Sequence, residues 1–207
     1  MSTRRRALAE IGAVLLTAGA FVVFHGFRCP SLCFIAPCVL LWGTHLARRV
    51  QRDRSVLRDW GLRLDNLEAA SVPCFAVASV AAVAILAFRL GRGWRPVPPS
   101  FVVILLLYPF WGIFQQFCVQ ALFVRNLETL GVRRALIVPV TAVLFGLVHV
   151  RNEVLLGLCT AAGAVWTVLF LRWRNLIPIG LSHGWLGTLV YYFVLEKDPL
   201  PGLFGPG

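Results

Sequence analysis

Seven long apolar runs constrain what this chain can fold into. A helix of about 20 apolar residues crosses the ~30 Å hydrocarbon core of a bilayer. The runs cover approximately residues 8–24, 31–47, 69–90, 101–124, 135–150, 154–171 and 176–195. They predict an all-α fold, a polytopic transmembrane helix bundle of about seven spans.

The charge content agrees with this class. Only 14% of the residues are charged, 58% are hydrophobic and the mean hydropathy is +0.78, whereas soluble domains carry roughly 25% charged residues. The net charge of +11 comes from arginines beside the apolar runs, and no nucleic-acid-binding motif accompanies them. We therefore predict membrane lipid, and not nucleic acid, as the partner of this basic chain.

The arginines and lysines also predict a topology. Connections that would lie on the side of the N-terminus hold 14 of the 20 basic residues. The positive-inside rule then places the N-terminus in the cytoplasm and the C-terminus outside, most simply in the plasma (inner) membrane. The first run follows three arginines and resembles a signal peptide, but because further spans follow we expect it to be a retained helix.

The chain divides into three regions by composition. Residues 1–100 hold N-terminal transmembrane helices and a basic segment at 48–68 that we expect on a membrane face. Residues 101–195 form a core of helices with polar motifs. The Pro/Gly-rich tail at 196–207 is predicted to be disordered.

Neither a metal nor a cofactor is predicted. The six cysteines lie in or beside apolar runs without a CxxC pair, so they are interpreted as small hydrophobic residues. No carboxylate precedes the histidines at metalloprotease spacing. The cysteines are Cys29, Cys33, Cys38, Cys74, Cys118 and Cys159.

Polar side chains inside three of the late spans are candidates for a site. One such residue alone more often bonds a neighbouring helix, but three clusters on spans that can converge favour a shared site. We expect Gln115, Gln116, His149 and His183 to line one polar cavity between the fourth, fifth and seventh spans. Further candidates beside them are Gln120, Asn152, Glu153 and Gly187.

The order of these clusters resembles the CAAX protease and bacteriocin-processing family of intramembrane endopeptidases. Phe145-Gly-Leu-Val-His149 matches the family's Phe-x-x-x-His motif, and His183 matches its last motif, with Gly187 where Asn is common. The likeness covers about residues 101–191. It implies a hydrolase of the type II CAAX prenyl endopeptidase kind, which cuts membrane-bound or prenylated peptides near the membrane surface.

The first motif departs from the family pattern. Where the family has Glu-Glu-x-x-x-Arg, this chain has Gln115, Gln116 and Gln120. The resemblance implies that the first glutamate activates a water with the help of histidine, and a glutamine amide has no useful basicity for that step. The two glutamates and the arginine of the family motif are replaced together, which avoids an unpaired ion in the membrane.

Three readings stay open, and with them the question of whether the chain is an enzyme. It is a divergent peptidase whose carboxylate comes from elsewhere, with Glu153 one turn beyond His149 if that helix continues. Alternatively, it is a non-catalytic relative that binds a peptide or lipidated tail in the same cavity. A transporter-like or structural role is less favoured, since no repeats appear.

The candidate residues differ in their expected depth in the membrane. At ~1.5 Å per residue, Gln115 and His183 lie near the middle, whereas His149 lies closer to the outer face. We therefore expect either a fifth helix that starts late, at Pro139, or a skewed site.

Overall fold

The computed structural model describes residues 3–24, 26–27 and 29–205, and within them the chain is helical without a β-strand. A π-helical stretch, Phe117–Val124, joins α5 to α6, and another, Val190–Val194, extends α9. The α-helices are α1 Thr3–Phe24, α2 Leu32–Arg52, α3 Val56–Asp59, α4 Leu67–Gly91, α5 Ser100–Gln116, α6 Arg125–Thr129, α7 Arg134–Leu147, α8 Glu153–Trp173, α9 Leu176–Leu189 and α10 Pro201–Phe204.

Each predicted apolar run coincides with a helix, so the all-α transmembrane class is confirmed. Four described helical segments are long and apolar enough to cross a membrane by themselves: α1, α4, the continuous 30-residue helix from Ser100 to Thr129, and α8. Helix α7 is apolar but shorter. The count of about seven spans stays a prediction.

The basic segment at 48–68 is bound to the junction between α8 and α9. Gly61 takes a left-handed conformation (φ +81°), and its carbonyl accepts a hydrogen bond from the Leu176 N–H at 2.8 Å. The Asn175 amide donates to Asn66 Oδ1 at 2.9 Å, while its own oxygen caps α9. These bonds fix where α9 begins.

Helices α5 and α9 approach each other through glycine. A Cβ at Gly184 would fall on the backbone of Pro109, and one at Gly112 would lie 2.8 Å from the Gly184 nitrogen. Gly180 and Gly184 are four residues apart, the small-residue spacing that lets membrane helices meet backbone to backbone. The contact brings His183, one residue before Gly184, next to the end of α5.

The chain after α9 is linked to the start of α5. Asp198, in the tail that the sequence predicts to be disordered, accepts hydrogen bonds from Ser100 Oγ at 2.6 Å and from the Tyr192 hydroxyl at 2.7 Å. Pro201–Phe204 then forms the short helix α10.

Candidate functional site

A cavity of about 290 Å³ lies between α4, α5, α8 and α9. Three of the predicted residues, Gln115, His149 and His183, line it together with Gly187. Its wall is mostly apolar and comes largely from α4 and α8, where we expected a polar cavity between α5, α7 and α9. The α4 and α8 lining consists of Val77, Ala81, Ile85, Leu155, Leu158, Cys159, Ala161, Ala162, Val165 and Trp166.

Gln116 and Gln120 lie behind the cavity wall, fully buried. The Gln120 amide donates to Gln116 Oε1 at 3.1 Å and to Thr167 Oγ1 at 3.3 Å. Gln116 Nε2 in turn lies 3.3 Å from Nδ1 of His183. A chain of neutral hydrogen bonds therefore occupies the place where the family motif has an acid and an arginine.

The same chain of bonds positions the His183 imidazole. The Gln116 amide lies 3.3 Å from Nδ1 of the ring, and the direction of this hydrogen bond depends on the tautomer of His183. The ring also forms a hydrogen bond with the backbone of Gly112 on α5. These two contacts fix the orientation of the ring beside the cavity.

Aromatic rings hold the His183 imidazole from two sides. The ring centroid of Trp166 lies 4.7 Å from that of His183, and the Phe145 ring meets it edge-on at 5.4 Å. Phe145 also contacts His149 edge-on, with centroids 6.3 Å apart. One phenylalanine thus contacts the rings of both histidines from α7.

His149 reaches the cavity from a turn and not from a helix. Helix α7 starts at Arg134, not at Pro139, and ends at Leu147, so His149 lies in the turn that follows. The prediction that this helix starts late, at Pro139, is therefore wrong, and a skewed site stays a prediction.

Asn152 and Glu153, two polar residues that follow His149, are not among the residues that line the cavity. Asn152 caps α8 by accepting from the Leu155 N–H at 3.1 Å. Glu153 is the exposed first residue of α8 and is not among the residues that line the cavity. Because α7 does not continue past Leu147, Glu153 does not lie one helical turn beyond His149.

Tyr108 fills the space beside Gly187. A Cβ at Gly187 would lie 2.6 Å from the Tyr108 ring carbon Cε1, so this ring occupies the position that a longer side chain at 187 would need. Tyr108 meets Tyr191 edge-on at 6.1 Å, and both line the cavity. Sequence reasoning missed this pair, because aromatic residues in an apolar run carry no local signal of a site.

A second buried polar cluster also escaped the sequence analysis. Glu10 of α1 is 7% exposed and accepts hydrogen bonds from Arg49 at 2.6 Å and from Asn126 at 2.7 Å. His45 lies 3.2 Å from the same carboxylate. A single acid inside the first apolar run was the available signal, since an intramembrane carboxylate requires a partner.

The described residues contain no group of three His, Cys, Asp or Glu side chains that could hold a metal ion. Nor is any Asp or Glu found among the described residues that line the cavity. What the cavity offers is the Gln115 amide, two imidazoles, two tyrosine hydroxyls and an apolar wall.

Residues 96–189 match the family model described as type II CAAX prenyl endopeptidase Rce1-like. This region of the chain is similar to that family. The match confirms the resemblance that the motifs predict, and it spans Gln115, His149 and His183. No curated protein and no solved structure matches the chain. Helices α1 and α2, which carry Glu10, His45 and Arg49, lie before the matched region, whereas their partner Asn126 lies inside it.

Proposed function

We propose that this integral membrane protein binds the apolar or prenylated tail of a membrane-associated peptide in the cavity, without efficient cleavage. The observation that carries the proposal is the absence of any acid among the described lining residues of an otherwise CAAX-protease-like cavity. General-base assistance is worth about 10²–10⁴-fold in rate. A cavity without that base favours retention of the bound peptide over hydrolysis.

The polar groups of the cavity suit a peptide backbone. The His183 imidazole, positioned by Gln116, and the Gln115 amide offer hydrogen-bonding groups to the N–H and C=O of a peptide. The apolar side chains of α4 and α8 suit a hydrocarbon chain, because most of a ligand's affinity in such a cavity comes from apolar contact. Amide recognition and lipid binding are thus combined in one cavity.

A second candidate function is slow hydrolysis with His149 as the base. The observation that favours it is that His149 lines the same cavity as Gln115 and His183. A histidine side chain can accept a proton as a general base, and Gln115 can hold the water that it activates. His183 would then stabilise the developing oxyanion.

Both functions are tested on purified protein in nanodiscs with farnesylated and transmembrane peptides. Wild type is expected to bind the peptides and leave them intact. The triple variant Gln115→Glu, Gln116→Glu, Gln120→Arg restores a base with its counter-charge, and we expect it to gain cleavage that Gln115→Glu alone lacks. The single variant places an unpaired carboxyl group at the wall of a mostly apolar cavity, which favours its protonated form.

The outcomes separate the candidates. Cleavage by wild type that His149→Ala abolishes would favour the hydrolase. Glu153→Gln serves as the matched control and should change neither binding nor cleavage, because Glu153 is exposed outside the cavity. Absence of binding to every peptide would contradict the proposal.

The orientation of the chain is part of this proposal. We propose a cytoplasmic N-terminus, an external C-terminus and a location in the plasma (inner) membrane, on the basis of the asymmetry of basic residues. Reporter fusions at each end measure this directly. If both ends report the same side, the seven-span topology is wrong.

A further inference from the structure

Arg89 is a buried cation near one end of the cavity. It lies on α4 one helical turn beyond Ile85, which lines the cavity. Its side chain is 4% exposed, and Nη1 donates to Glu196 Oε1 at 2.6 Å. Its Nε has no hydrogen-bond partner among the described residues. A buried guanidinium with an unused donor is costly.

Glu196 reaches Arg89 in a conformation that glutamate rarely adopts. Its φ is +52°, in the left-handed region, which costs free energy for a residue with a Cβ. The carboxylate is shared between Arg89 and Arg95, whose Nη1 donates to Oε2 at 2.9 Å. One acid thus serves two arginines, and the backbone is strained to bring it there.

The residues just before Glu196 belong to the cavity. Val190 and Tyr191, at the start of the second π-helical stretch, line it. The chain therefore runs from the cavity wall to the Arg89 site within about six residues. His183 and Tyr191 are about 12 Å apart along the helix. A bound peptide would cover this distance with three to four extended residues.

We propose that Arg89 and Arg95 form a carboxylate-binding site at this end of the cavity, which Glu196 fills in the free protein and which accepts the terminal carboxylate of the bound ligand. This inference rests on the proposed function. The ligand's apolar part occupies the cavity and its backbone reaches Gln115 and His183. Its free carboxylate then displaces Glu196 from Arg89, which also releases the strain at position 196.

A purely structural role for Glu196 would be to anchor the end of the chain. That role is already filled by Asp198, which bonds Ser100 and Tyr192 independently of the arginines. Asp198→Asn is therefore a matched control, because it weakens the anchor and leaves Arg89 and Glu196 in place. The two roles also predict opposite effects of removing the Glu196 charge.

The experiment compares two probes on the full chain in nanodiscs. Each is a tetrapeptide with a farnesylated N-terminal cysteine, one with a free C-terminal carboxylate and one with a carboxamide. Glu196→Gln removes the internal competitor and should raise the affinity for the acid by about tenfold, the size expected for one hydrogen bond to a charged group. The affinity for the carboxamide should stay unchanged. Arg89→Gln should abolish any preference for the acid, and Asp198→Asn should leave it as in wild type.

The results that overturn the inference differ from those that overturn the function. Equal binding of acid and carboxamide in every variant would refute the carboxylate site and leave the proposed function standing. A loss of acid affinity in Glu196→Gln would identify Glu196 as an anchor and also refute the site. No binding of either probe would remove both proposals.

A third probe distinguishes the source of the carboxylate. Dodecanoate, a free fatty acid, gains affinity in Glu196→Gln by the same factor if the site recognises a carboxylate on any apolar chain. A gain confined to the peptide acid identifies a peptide terminus as the ligand.

Discussion

Two buried polar clusters of this bundle solve the same problem in different ways. The cluster at the cavity is neutral and consists of Gln116 and Gln120, which lie behind the wall, and His183, which lines it. The cluster at α1 is charged, with Glu10 bound to Arg49 and Asn126. The chain therefore holds a carboxylate with an arginine in one place and amides in the other. The neutrality at the cavity is a property of that motif and not of the whole fold.

The two clusters differ in solvent exposure, and this explains why an ion pair costs less free energy at α1 than behind the cavity. Arg49 lies near the end of α2 and its side chain is 23% exposed, so water still reaches the ion pair. Gln116 and Gln120 are fully buried, where the desolvation of an ion pair costs most. Amides keep the helices connected there without that cost, but they also remove the general base.

The largest effect is expected for Glu10→Leu, which leaves Arg49 without its acceptor in the charged cluster. We expect a loss of about 3 kcal/mol in the free energy of unfolding, at the lower end for a broken buried pair because Arg49 is partly solvated. Unfolding in detergent micelles measures it. Asp65→Asn, at an exposed carboxylate that Arg58 and Arg63 share, is the control and should cost no more than about 1 kcal/mol. Equal losses in both variants would mean that the Glu10 cluster contributes no more than a surface ion pair.

An intermediate effect is expected when the neutral cluster is made charged. Gln116→Glu alone should cost about 1–3 kcal/mol, because the carboxyl group ionises in the unfolded chain but would be an uncompensated charge at this fully buried position. The double variant Gln116→Glu, Gln120→Arg supplies a counter-charge and should recover at least half of that loss in a double-mutant cycle. If the double variant loses more stability than the two single variants together, an ion pair cannot replace the amides in this cluster.

A smaller effect separates two buried threonines. Thr167→Val removes a hydrogen-bond partner of Gln120 and should cost about 1 kcal/mol. Thr141 is equally buried, but its hydroxyl has no partner among the described residues. Thr141→Val should therefore be neutral or slightly stabilising, as measured by the same unfolding experiment. Equal costs would show that Thr167 contributes by packing and not through the amide chain.

The smallest effect on stability is expected at Gln115, which faces the cavity without a hydrogen-bond partner in the described structure. Gln115→Leu should change the free energy of unfolding by less than about 0.5 kcal/mol and still weaken binding of the farnesylated peptide. The comparison with Gln116→Leu, which breaks the bond to His183, separates ligand contact from helix connection. A large loss of stability in Gln115→Leu would assign that residue to the structural cluster.

The sequence predicted those features that are encoded locally. Apolar run length predicted every long helix, and the spacing from Phe145 to His149 together with His183 predicted residues that do meet at one cavity. The sequence was less informative about which side of a helix faces the cavity, because that depends on how each helix is rotated about its axis. Gln115 and Gln116 are adjacent in sequence, yet one faces the cavity and the other is buried behind it.

The sequence did not predict which residues far apart in the chain form ion pairs and hydrogen bonds. The partners of Glu10 are 39 and 116 residues away, and those of Arg89 include a glutamate 107 residues away. No periodicity or motif relates such positions. The apolar wall from α4 could not be predicted either, because its alanine and valine residues look the same whether they face a cavity or lipid.

The glycine contact between α5 and α9 fixes the spacing of the polar groups on one side of the cavity. Where Gly180 and Gly184 touch the α5 backbone, neither helix can slide or rotate without a clash of main-chain atoms. Gln115 and His183, which these two helices carry, are therefore held at a constant separation. The opposing wall of α4 and α8 is lined mostly by aliphatic side chains, which have no hydrogen-bonding groups. We therefore expect the amide and the imidazole to determine how a ligand is aligned along the cavity, and the aliphatic wall to determine only how well it fits.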